Sequence, residues 1–151
     1  MLIAAWAVCA SPIEGPEDGL APFIRNAGVE VFANHLRNLA TFLYSDEYPP
    51  RKDDVLAVDF FATDADASEW LAQRGPLPAS LEAAKRRADQ ELAHLTSKRI
   101  SGISDEKNWD VVSLGSEIVT LLRGFAGSAD PARLTPSLAS VLPEPSRPTE
   151  K

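Results

Sequence analysis

Residues 80–100 read SLEAAKRRADQELAHLTSKRI, and the spacing of their apolar side chains decides the fold class. With Ala88 at the centre of a helical wheel, Leu81, Ala84, Leu92 and Leu95 fall close to it, at the three- and four-residue spacing of a buried helical stripe. Arg87, Glu91, His94 and Lys98 repeat with the same spacing on the neighbouring flank, roughly a third of a turn away at about 3.6 residues per turn. The stripe holds such a helix in a core, and the flank is where chemistry can sit. Ser80 or Ala79 starts the helix, and Glu82 in its first turn suits the helix dipole. Lys98 and Arg99 suit the other end, and Gly102 closes it.

The same periodicity recurs on either side. From residue 22 to residue 45, Phe23, Ile24, Ala27, Val31, Phe32, Leu36, Leu39, Phe42 and Leu43 predict a long helix beginning near Leu20 or Ala21, with Pro22 in its first turn. Glu30, Asn34, Arg37 and Thr41 are expected on its polar side, and His35 within its apolar stripe as a core histidine. Pro49 and Pro50 stop it. RKDDVLAVDFF, residues 51–61, reads as a short helix capped by Asp53 or Asp54. A strand is the competing reading, since Val58 and Phe60 alternate around Asp59, but no second strand-like run would pair with it. Residues 68–74 make a further turn or two, anchored by Trp70 and Leu71, before Gly75, Pro76 and Pro78 break the chain. Residues 105–125 predict a last long helix with Trp109, Val112, Leu114, Ile118, Leu121, Leu122 and Phe125 on its apolar face, ending at Gly124 and Gly127.

The chain therefore reads as an all-α single-domain bundle of four to five helices. An N-terminal apolar segment and loop over 1–19 precede a helical domain over 20–128. Residues 129–151 hold five of the twelve prolines and read as a Pro-rich, unstructured tail, with Leu134, Leu138, Val141 and Leu142 able to dock it.

Composition removes several classes of function. The chain of 151 residues is 44% hydrophobic and 25% charged, ordinary for one soluble domain, and its net charge of −7 works against binding polyanions through bulk electrostatics. Cys9 is the only cysteine, which excludes an intramolecular disulfide and a multi-cysteine metal site and suits a cytoplasmic setting. The opening MLIAAWAVCA lacks a basic residue, and its apolar run falls well short of the ~20 residues that span a bilayer, so it reads as a first core helix and no membrane contact is expected. The acidic residues over 46–69 lack calcium-loop spacing and are explained by capping and solubility. No metal and no cofactor is called for.

Arg87 and His94 are the sharpest candidate pair. Seven residues apart on a helix, they share one face about 10 Å apart along the axis, so both can reach one phosphate. An imidazole that exchanges protons with a 2′-hydroxyl or leaving oxygen, beside a guanidinium that neutralises phosphate charge, cleaves RNA without a metal. The spacing alone is common, and Arg87 with Glu91 equally makes an ordinary surface ion pair. Lys98 and Arg99, with Lys85 and Arg86, add positive charge on this helix and are the candidate substrate-binding residues.

An arginine and a histidine at this spacing on a helix, in an all-helical chain of this length, resemble the HEPN superfamily, which includes metal-independent ribonuclease toxins and non-catalytic relatives. VEVFANHLRNLATFLY, RKDDVLAVDFF and ELAHLTSKR are also similar to phrases of uncharacterised bacterial helical proteins. The resemblance covers roughly residues 20–125. It implies Arg87 and His94 as catalytic residues, a homodimer with the two motifs facing each other, and RNA as substrate. In one respect the sequence departs from the pattern, since an alanine, Ala88, directly follows the arginine. The alternative is a non-catalytic module that binds a protein partner or dimerises, and a small-molecule-binding bundle is a third. Catalysis requires Arg87 and His94 exposed together in a cleft, whereas the module predicts them dispersed or buried.

Overall fold

The structure, a computed structural model, describes residues 20–47, 52–91 and 109–135. Among these residues there are four α-helices and no strand: α1 Leu20–Leu43, α2 Asp64–Arg74, α3 Ala79–Glu91 and α4 Val111–Ser128. The fold is all-α. Helix α1 packs along both α3 and α4, and α4 also touches α2.

The organising stripe is where the sequence placed it: Leu81, Ala84 and Ala88 are buried against α1, while Leu92 and Leu95 lie outside the described residues. Two ion pairs line its solvent side, Arg86 to Glu82 at 2.7 Å and Lys85 to Asp89 at 3.3 Å. Helix α2 is bounded by local chemistry at both ends. The Thr63 hydroxyl accepts from the Asp66 amide and donates to the Asp66 carboxylate. Gly75 follows the last turn at φ 74°, a backbone region that penalises a Cβ, and so lets the chain turn toward Pro76.

The helix expected over residues 51–61 is a single 3-10 turn, Ala57–Phe60, preceded by an irregular stretch. Neither Asp53 nor Asp54 caps it. The Leu56 amide instead donates to the Asp59 carboxylate at 2.8 Å, closing a turn too tight to propagate. Helix α4 begins after Asp110, whose carboxylate accepts from the Ser113 amide at 3.0 Å. Gly124 and Gly127, expected at its end, lie inside it. Buried Phe125 and Ala129 hold that turn in place, and this packing outweighs the helix cost of the two glycines.

The chain stays packed past Ser128, where the tail was expected to begin. The Asp130 amide donates to the Phe60 carbonyl at 2.9 Å, and Arg133 donates to the Asp59 carbonyl at 2.8 Å. A second 3-10 turn, Pro131–Arg133, is thereby stitched to the first, and Leu134 packs on the core. Residues 136–151 lie outside the described residues. Helices α1, α2 and α4 and the first turn meet at a cluster of rings in which Phe125 lies within 5.3 to 6.2 Å of Phe42, Phe60, Phe61 and Trp70, edge to face.

The Asp110 carboxyl titrates below the usual carboxylate range, held there first by the backbone hydrogen bond from Ser113 and then by its side chain. A lowered carboxyl favours the folded state above the unfolded pKa, and that contribution is lost as pH falls through the folded value. Asp110→Asn keeps an accepting cap but does not titrate. The difference in urea midpoint between wild type and variant is therefore expected to shrink between about pH 6 and about pH 2.5; a difference that does not change with pH would refute the cap's role.

Candidate functional site

Arg87 sits on the flank of α3, half-buried, with its guanidinium 4.5 Å from the centre of the Trp109 ring. A cation over an indole face is an attractive contact that holds the arginine against the segment leading into α4. His94, Lys98 and Arg99, the other expected site residues, lie outside the described residues. Asp89, two residues beyond Arg87, is 3.5 Å from Arg37 of α1 and 3.3 Å from Lys85. Ser80 donates to Glu117 of α4. Asp89 and Ser80 thus tie α3 to α1 and α4. Ala88, which stands beside the arginine, is fully buried in the core.

A cleft of about 390 Å³ opens elsewhere, between α2 and the turn after α4, lined by Phe61, Trp70, Asp66, Glu69, Gln73 and Asp130 among others. Its carboxylates already have partners. Thr63 donates to Asp66, Gln73 donates to Glu69, and the Ala132 amide and Arg133 engage Asp130. Among the described residues no group of three or more His, Cys, Asp or Glu is placed to hold a metal ion, and no helix is long and apolar enough to cross a membrane.

Two features were not foreseen from the sequence. The first is Arg74, whose side chain is only 5% exposed. It donates to the Leu43 carbonyl at the end of α1 and makes a bidentate pair with Asp46, both oxygens at 2.9 Å, while its guanidinium lies 3.9 Å above the Tyr44 ring. Helix α1 has no basic residue in its own last turn, so α2 supplies the cation that its carbonyl end favours. A lone arginine before Gly75 was the only sequence signal.

The second feature is that α1 carries two apolar faces where one was expected. Phe32, Ala33, Leu36, Ala40 and Leu43 are buried in the core. Leu20 and Phe23 are each 69% exposed, Ile24 39% and Val31 37%. At about 100° per residue this second set falls nearly opposite the first, on a stripe that also contains Ala27. His35 is half-buried at the edge between the faces rather than within the core. Separating the apolar residues of this segment into two helical phases would have shown the split.

Neither a family model, nor a curated protein, nor a solved structure matches the chain.

Proposed function

We propose that this chain is a non-catalytic helical interaction domain that docks a protein helix on the outer face of α1. The observation that carries this reading is the stripe of Leu20, Phe23, Ile24 and Val31, exposed opposite the core face of the same helix. A helix that is apolar on two sides is normally covered on both, and a helix laid into such a stripe is a recurrent mode of protein recognition. The test is a photo-crosslinking phenylalanine analogue at position 23, with position 38 on the C-terminal half of α1 as control and the adduct identified by sequencing. One defined protein, or a second copy of the chain, is expected at position 23 and not at position 38. No adduct at position 23 would refute the reading.

The metal-independent ribonuclease is the second reading, favoured by one observation: Trp109 holds the Arg87 guanidinium on the helix whose sequence continues to His94. That reading expects cleavage of a mixed RNA pool in EDTA by wild type and its loss in folded His94→Ala and Arg87→Ala variants. Under the interaction reading, wild type leaves the pool intact.

A further inference from the structure

We propose that the helix docked on the outer face of α1 is α1 of a second copy of this chain, laid antiparallel across the same stripe. The inference rests on the reading of that face as a docking surface and names its partner. The stripe is complementary to itself about Ala27. Phe23 stands four residues before Ala27 and Val31 four residues after it, and both are exposed, 69% and 37%. A two-fold axis through Ala27 therefore sets each Phe23 against Val31 of the other copy, a large ring facing a small side chain at both ends of the contact. Ala27 and Gly28, half-buried and small, let the two helices approach closely where they cross. A parallel pair would instead oppose Phe23 to Phe23 and Val31 to Val31, leaving the contact wide at one end and narrow at the other.

The area suits a weak dimer. Leu20, Phe23, Ile24 and Val31 leave roughly 400 Å² of apolar surface on each chain, and the exposed stems of Glu30 and Asn34 at the rim add about 100 Å². The pair thus buries about 1,000 Å² in all, the level a complementary interface has to reach and short of the roughly 1,600 Å² of standard complexes. Half-association is therefore expected at about 10–100 µM. Charge allows the pairing. By helical phase Arg25 falls toward the core side, and the antiparallel register keeps the two Glu30 positions about 9 Å apart along the axis. The net charge of −7 on each chain opposes association at long range, but physiological salt screens it beyond about 8 Å. This dimer has α1 at its centre, whereas the homodimer implied by the HEPN resemblance brings the Arg87 flanks of α3 together.

The test is sedimentation equilibrium of the purified full chain at physiological salt, joined to disulfide trapping of the register. A monomer–dimer equilibrium is expected, abolished by Phe23→Asp with unchanged circular dichroism and kept by Val112→Asp, which alters an exposed apolar residue of α4. In a Cys9→Ala background, Ala27→Cys is expected to form a disulfide-linked dimer on mild oxidation. Asn34→Cys is not, because the antiparallel register holds its two copies about 21 Å apart along the axis. A chain that stays monomeric to about 1 mM overturns the proposal. So does a dimer that survives Phe23→Asp, one that Ala27→Cys fails to trap, or one trapped equally well through position 34, as a parallel pair would be. A monomeric chain that captures a different protein at position 23 overturns the dimer and leaves the docking reading standing, whereas no adduct there removes both.

Discussion

Phe125→Ala is expected to lower the unfolding free energy by about 3–5 kcal/mol, the range for truncating a buried aromatic ring. Phe125 is 3% exposed and is the ring on which Phe42, Phe60, Phe61 and Trp70 converge. Its removal opens a cavity where α1, α2, α4 and the turn Ala57–Phe60 meet, and these elements come from four separate parts of the chain. None of them can relax inward without pulling on the others, so the cavity is expected to stay largely open. Phe125→Leu keeps most of the volume but loses the edge-to-face contacts, and is expected to cost about 1–2 kcal/mol. Denaturant unfolding followed by circular dichroism measures both. A loss below about 1 kcal/mol for the alanine variant would mean that the ring cluster is not the centre of the core.

Arg74→Ala is expected to cost about 2–4 kcal/mol, combining a lost charge-assisted cap, a cation–π contact and packing. Most surface ion pairs contribute little, and Asp46 itself is 43% exposed, so the pair with Asp46 is the smaller share. The larger share comes from the Leu43 carbonyl and the Tyr44 ring, both reached by a guanidinium that is only 5% exposed. Three outcomes therefore separate the contributions. Asp46→Asn should cost under about 1 kcal/mol. Arg74→Lys should recover less than half of the alanine loss, because one ammonium lacks the planar fork that serves carbonyl and carboxylate together. Raising the salt concentration should change the Arg74→Ala loss little, since a buried contact is poorly screened. An Arg74→Lys protein as stable as wild type would show that charge alone suffices there.

The residues that were legible in advance are those whose role is set by local periodicity. Leu81, Ala84 and Ala88 are buried because they recur with the helix on a segment whose remaining sides are charged. Helical spacing likewise marks Trp70 in α2 and Ile118 and Phe125 in α4, and all three are buried. Residues 51–61 were harder, since a short apolar run fits a helix, a strand or a turn equally well. What chose the 3-10 turn was the Asp59 carboxylate reaching back to the Leu56 amide and the stitch from Asp130 to Phe60 across the fold. The candidate site was legible only as a spacing. Periodicity put Arg87 on a flank of α3, but nothing in the spacing revealed that Trp109 would lie under its guanidinium.

By itself, the sequence determined the all-α class, the approximate course of the helices and the inward face of α3, because helical period and chain-breaking residues act over a few neighbouring positions. The tertiary structure alone decided that Arg74 closes the carbonyl end of α1 and that Phe125 gathers rings from four segments. It also decided that Phe32 faces the core while Phe23, nine residues earlier on the same helix, faces out. Both are phenylalanines on one helix, and helical phase puts them on opposite faces without saying which face is the core. Which of the two faces is buried is decided by where α3 and α4 pack along α1.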